Sequence, residues 1–125
     1  MRWSRSSLIR VSNMIENQGA ADVLRALGLC AKAGKLVYGT PLICEALKAK
    51  KQVFLVVETS DNSENTQKRL RDRCEFYGVE KKRLRVDGDT LAKALGKNSR
   101  ISAVAITDEQ LCRLVLGKLK EEHIL

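Results

Sequence analysis

The stretch from Leu27 to Ala46, LGLCAKAGKLVYGTPLICEA, reads as a helix that stops at Gly34, a very short strand, and a second helix opening at Gly39-Thr40-Pro41. Gly34 suits the left-handed position just past a helix C-terminus. Thr40 is a favoured N-cap type, and Pro41 brings the preset φ of a first helical residue. A helix start turns N–H groups and a partial positive charge outward, which suits a phosphate. Lys32 and Lys35 lie a few residues upstream. The segment therefore predicts an anion-holding turn between strand and helix.

Outward from this turn, helix and strand signals alternate. Residues from about Ala20 to Ala33 place Val23, Ala26, Leu27 and Cys30 on one helical face. Lys35 to Tyr38 forms the short strand. Thr40 to about Lys50 forms the second helix, burying Leu42, Ile43, Ala46 and Leu47. Val53 to Val57 is a continuous apolar run, expected of a strand covered on both faces. Asn62 or Ser63 caps a third helix, Glu64 to Tyr77, which ends at Gly78 and carries Lys68, Arg69, Arg71 and Arg73 outward. Lys82 to Val86 predicts a charged edge strand. Asp87-Gly88-Asp89 turns into a fourth helix, Thr90 to Leu95, ended by Gly96. Ile101 to Ile106 predicts a buried strand, and Thr107-Asp108-Glu109-Gln110 matches a capping box before a last helix running to about Lys120.

Helices alternating with strands, with a single proline and no repeat, predict one α/β domain over residues 20–120, with helices on both faces of one sheet. Residues 1–13, MRWSRSSLIRVSN, are rich in Arg and Ser and carry no acid. Residues 1–19 are expected to stand outside the folded domain as a disordered or non-native segment, with Met14 as the start of the protein. Residues 121–125 are expected to fray.

Hydrophobic content of 44% and charged content of 30% are ordinary for a soluble globular chain. Aromatic content of 4% makes the core aliphatic and argues against recognition by rows of stacked rings. No apolar run approaches the ~20 residues that span a bilayer, so no membrane association is expected. Of the net charge of +8, Arg2, Arg5 and Arg10 supply three, leaving a body at +5 that suits a polyanionic partner. Cys30, Cys44, Cys74 and Cys112 form no C-x-x-C pair. They read as small buried hydrophobes in a reducing, cytoplasmic compartment, with no metal or cofactor implied.

The candidate chemistries narrow quickly. Gly28 and Gly34-Lys35 imitate a P-loop, but the spacing is one residue too long, Leu36 replaces the magnesium-holding Ser or Thr, and the segment lies within a helix. His123, the one histidine, falls in the charged terminal tail, which removes histidine-based acid–base and nucleophilic catalysis. Glu58 and Asp61 follow the central strand, where α/β enzymes often place catalytic groups, but strand exit and helix capping explain them. Asp87, Asp89 and Asp108 read as turn and cap residues. Basic clusters remain at Lys32 and Lys35, Lys48 to Lys51, Lys68 to Arg73, Lys81 to Arg85, and Lys97 with Arg100. Two of them meet at one sheet edge, with Gly39-Thr40, if the strands they flank are neighbours.

Three segments in order, LGLCAKAGKLVYGT, FLVVETSDNSENTQKRLRDRCEFYGV and LAKALGKNSRISAVAITD, resemble the bacterial YlxQ-like branch of the large-subunit ribosomal protein family seven-Ae/thirty-e. The resemblance covers about Ala21 to Lys118. It implies a three-layer α/β/α sandwich around a four-stranded mixed sheet. It also implies a non-enzymatic, ribosomal or ribosome-associated protein that is monomeric when free and binds kink-turn RNA, a sharply bent internal loop with sheared G·A pairs. In that family the second helix begins G-x-N-E-x-T-K. Here Gly39 is kept and Thr40 fills the variable position, while Pro41, Leu42, Cys44 and Glu45 replace Asn, Glu, Thr and Lys. The resemblance assigns the second RNA contact to Gly96, Lys97, Asn98, Ser99 and Arg100, which would pack against an extruded base. The family's Leu-Gly pair on the fourth helix appears as Leu91-Ala92. With the lysines upstream, the RNA-binding set is Lys32, Lys35, Gly39, Thr40, Pro41 and residues 96–100. Two alternatives remain: a recognition domain partnering an RNA methyltransferase, and a protein-interaction adaptor.

Overall fold

A computed structural model describes residues 20–123, so the expectations for residues 1–19 and for the last two residues lie outside it. Helix α1 covers residues 20–32. It is followed by β1 (Leu36–Tyr38), α2 (Thr40–Lys48), β2 (Leu55–Glu58), α3 (Glu64–Tyr77), β3 (Glu80–Arg83), α4 (Gly88–Ala94), β4 (Ala103–Ile106) and α5 (Glu109–His123). The strands form one sheet in the order β1-β4-β2-β3. β4 is antiparallel to both neighbours, whereas β2 and β3 are parallel.

The strand alternation divides the core into two layers. Leu55, Val57, Val104 and Ile106 face α1, α4 and α5, packing on Val23, Leu27, Leu91, Val115 and Leu119. Val56 and the small residues Ala103 and Ala105 face α2 and α3, packing on Ile43, Leu47, Leu70 and Cys74. The expected α/β/α sandwich with a four-stranded mixed sheet is therefore present. All four cysteines are buried free thiols, as their apolar neighbours implied. Burial pushes the Cys30 and Cys74 thiols up to about 11.

Local signals held at several helix ends. The Ser63 side chain caps α3 by accepting from the Thr66 N–H, and Asp87 caps α4 by accepting from the Thr90 N–H. Gly34, Gly78 and Gly96 all follow helices with left-handed φ. Several expectations need correction. Leu42, expected to be buried by α2, stands exposed on it. β3 lies two residues earlier than Lys82 to Val86, because the Gly78 turn returns the chain at once and Glu80 already pairs with Leu55. Leu84 then leaves the sheet to enter the core. The N-cap of α5 is Asp108, whose carboxylate accepts from the Leu111 N–H, rather than Thr107. Most consequential, Thr40 does not cap α2.

Candidate functional site

β1 and β2 run in the same direction and β4 runs opposite to both, so one sheet edge collects the residues after β1, β2 and β3 and those before β4. Tyr38 pairs with Val104, and the Gly39 N–H donates to the Ala103 carbonyl at 2.9 Å. The adjacency that joins the Gly39 turn to residues 96–100 is thus real. Between them opens a cleft of about 350 Å³ lined by Tyr38, Gly39, Lys97, Asn98, Ser99, Arg100 and Ile101.

Gly39 takes φ 85° and ψ 149°, a region essentially restricted to glycine, and is itself the N-cap of α2. Its carbonyl accepts the first helical bond, from the Ile43 N–H. Thr40 is therefore the first helical residue and Pro41 the second. Thr40 is buried: its N–H donates to the Ser102 hydroxyl at 3.3 Å, and the two hydroxyls lie 2.9 Å apart. Thr40 thus stands one residue past the capping position, and its hydroxyl pairs with Ser102, just before β4. Pro41 has no N–H and the Thr40 N–H is taken by Ser102, so two of the first three helical residues offer no free amide. The anion-holding power of this helix start is less than its sequence implies.

The cations divide. Lys97 places its Nζ 4.5 Å from the centroid of the Tyr38 ring, a cation–π contact at the mouth of the cleft. Lys32 joins Lys93 and Lys97 along a second groove of about 390 Å³ between α1 and the end of α4. Lys35 is not brought to this edge. It precedes β1, where its carbonyl accepts from the Thr107 N–H, about 13 Å of strand from Gly39.

Arg100 is already engaged. Its Nη2 donates to the Asn62 side-chain oxygen at 2.9 Å and to Asp61 Oδ1 at 3.1 Å, and its Nε to Asp61 Oδ2 at 3.3 Å. Asp61 also accepts from the Gly88 N–H and the Thr59 hydroxyl. The Arg100 guanidinium holds the Asp61 carboxyl well down, at about 2. A Cβ on Gly88 would lie 2.4 Å from Arg100 Cγ and 2.8 Å from the Ile101 carbonyl oxygen, so only glycine admits this approach. Thr59 and Asn62, both buried, donate to the Ser102 carbonyl, Thr59 through its backbone N–H and Asn62 through its side-chain amide. Asp61 is thus a loop-to-loop tie and not a helix cap. Glu58 belongs to the strand rather than following it. It ends β2 at 1% exposure and pairs with Lys81.

Sequence reading missed Tyr38, Lys93, Asn62, Gly88 and Ser102 as parts of this edge. The only local signal was polar residues crowded after an apolar strand, Thr59 to Asn62, which capping also explains.

Among known proteins, residues 21–115 match the model of the ribosomal protein L7Ae/L30e/S12e/Gadd45 family. The chain is 32% identical over 93 residues to the RNA-binding protein YlxQ of Bacillus subtilis (strain 168), covering 74% of this chain and 90% of that one. It resembles the structure of a protein of unknown function from Bacillus halodurans C with TM-score 0.72 and 30% identity, covering 80% of this chain and 98% of that one. It shares its fold with a 15.5kD RNA binding protein of Giardia lamblia, with TM-score 0.67 at 15% identity, covering 86% of this chain and 89% of that one. The chain belongs to the ribosomal protein L7Ae/L30e/S12e/Gadd45 family.

Proposed function

We propose that this protein is a non-enzymatic, cytoplasmic RNA-binding protein, ribosomal or ribosome-associated, that grips bent, kink-turn-like RNA at the sheet edge holding Gly39 and residues 96–100. The observation that carries this reading is the cleft between those two segments, with Lys97 poised over Tyr38. Side-chain-free Gly39 lets an RNA backbone approach the start of α2. Lys32, Lys93 and Lys97 supply phosphate contacts along one rim. An extruded base fits between Ile101, the loop backbone and the Tyr38 ring. Arg100, tied to Asp61 and Asn62, holds the loop in shape for that base and is not a phosphate ligand.

Labelled kink-turn hairpin and plain duplex RNA, titrated at two salt concentrations, test the reading. Lys97→Ala should weaken both and lower the salt slope by about one, as loss of one phosphate contact does. Lys35→Ala should change neither, since Lys35 lies at the other end of β1. Glu45→Lys, which restores the family's charge, should favour the hairpin over the duplex. Unchanged hairpin affinity in both Lys97→Ala and Lys32→Ala would remove this edge as the RNA site.

A specific observation favours a second reading, in which the domain also serves a protein partner such as an RNA methyltransferase. Leu42 stands 54% exposed where the family has a polar residue. It lines a groove of about 480 Å³ with Leu36 and Tyr38 of the edge strand. Loss of methyltransferase co-purification in Leu42→Glu, with hairpin affinity intact, would support that reading.

A further inference from the structure

Phe76 is 76% exposed, the most exposed large hydrophobic side chain among the described residues. It sits in the last turn of α3, at the opposite end of the sheet from Gly39 and the 96–100 loop. Its ring meets Tyr77 edge to face, with centroids 4.9 Å apart and planes at 81°. Beside it runs a groove of about 530 Å³ whose floor includes Leu47, Val53 and Val79. Every charged residue lining that groove is a cation, namely Lys50 and Lys51.

The charge continues up the helix. Arg69, Arg73 and Phe76 are spaced i, i+4, i+7 and are all exposed, so they form one stripe on α3. Glu64 and Glu75 lie at least about 100° away around the helix, whereas Asp72 borders the stripe, about 40° from Phe76, and stands 3.7 Å from Arg71. α3 is capped by Ser63, directly after the Asp61-Asn62 pair that holds Arg100, and reaches Phe76 about 20 Å further on. Two exposed arginines, Arg69 and Arg73, thus lie on α3 between the proposed RNA edge and an exposed aromatic ring.

We propose that this stripe is a second RNA contact, which takes a single-stranded segment flanking the structured RNA. Arg69 and Arg73 hold its phosphates, and Phe76, with Lys50 and Lys51 beside it, stacks one base. One ring serves here, so low aromatic content is no obstacle. Stacking and cation contacts are the usual means by which single strands are held without sequence preference. An acidic peptide would also answer the lysines, but the arginine stripe runs along α3 outside the groove and calls for an extended polyanion. The proposal rests on RNA being the partner.

The test uses the full chain and three probes: a labelled uridine 12-mer, the kink-turn hairpin alone, and the hairpin carrying the uridine 12-mer as a 3′ or 5′ tail. Phe76→Ala should weaken the 12-mer by about fivefold or more and abolish the tail's added affinity, with the bare hairpin unchanged. Phe76→Trp should keep binding, with added tryptophan fluorescence quenched by the 12-mer. Arg69→Ala with Arg73→Ala should lower the 12-mer's salt slope by about 1.4, as loss of two contacts to a single strand does. These positions are exposed, and matched melting temperatures will confirm intact folding. If Phe76→Ala and the double variant leave 12-mer and tail affinities within twofold, the stripe is not an RNA contact. Loss of hairpin binding in Lys97→Ala together with that result would spare the edge reading and sink only this one.

Discussion

At Lys50 the backbone takes φ 57°, the one positive φ among the described non-glycine residues. The Lys51 N–H donates to the Ala46 carbonyl at 3.0 Å, so α2 ends as α1 and α3 do, but without glycine at the left-handed position. Lys50→Gly should raise stability by about 0.5–1 kcal/mol, because relief of left-handed strain exceeds the added entropy of the unfolded chain. Urea unfolding measures it, and a loss of stability would mean that Lys50 makes contacts worth more than its strain. A second residue-scale tension lies at Glu58. Its carboxylate is buried beside Lys81, and Glu58 Oε2 has no hydrogen-bond partner among the described residues. Lys81→Met should cost about 3 kcal/mol by leaving a buried charge unpaired. Adding Glu58→Gln should recover much of that loss; a double variant as unstable as the single would show that packing, not charge, is at stake.

Among the elements, the segment from Gly96 to Ser102 has no regular structure, yet it is tied down by side chains from the loop after β2. Asp61 is the acid-sensitive member of that tie. Its folded value of about 2 lies below the usual 3.8, so as pH falls the unfolded chain takes up the proton first. The stabilisation is complete above about pH 4 and disappears as pH drops toward about 2. Asp61 is partly exposed, so solvent screening keeps the contribution small. Asp61→Asn should melt lower than the parent at pH 6, and the gap should narrow by pH 2.5. An equal gap at both values would mean that the Asn62 and Gly88 contacts, not the carboxylate charge, hold the loop.

For the whole molecule, the sheet is sealed on both faces and each face holds thiols. Cys30 and Cys112 lie in the α1, α4, α5 layer and Cys74 in the α2, α3 layer, with Cys44 also buried. Burial raises the Cys30, Cys74 and Cys112 thiols, which further suppresses the reactive thiolate. A disulfide reagent at pH 8 should therefore label the folded protein slowly, with all four thiols reacting at the rate of unfolding. One thiol reacting within seconds, while the fold persists, would show that its layer opens locally.

The sequence by itself determined the number, order and type of the elements, because hydrophobic period, glycine stops and polar starts are written within a few residues. Glu64 to Tyr77 was legible to the residue for that reason. It also located both halves of the candidate edge, Gly39 and residues 96–100. Strand register, and what each polar group at that edge touches, were decided only by the tertiary structure. Pairing of β1 with β4 brought Ser102 beside Thr40, while the positive φ of Gly39 moved the N-cap of α2 to that glycine. The same pairing set Lys35 at the far end of β1. Asp61 and Arg100 meet across 39 positions of sequence, and nothing local to either marks the other as its partner. Hydrogen bonds and charges act over a few ångströms of space, and the chain makes those ångströms long-range by folding.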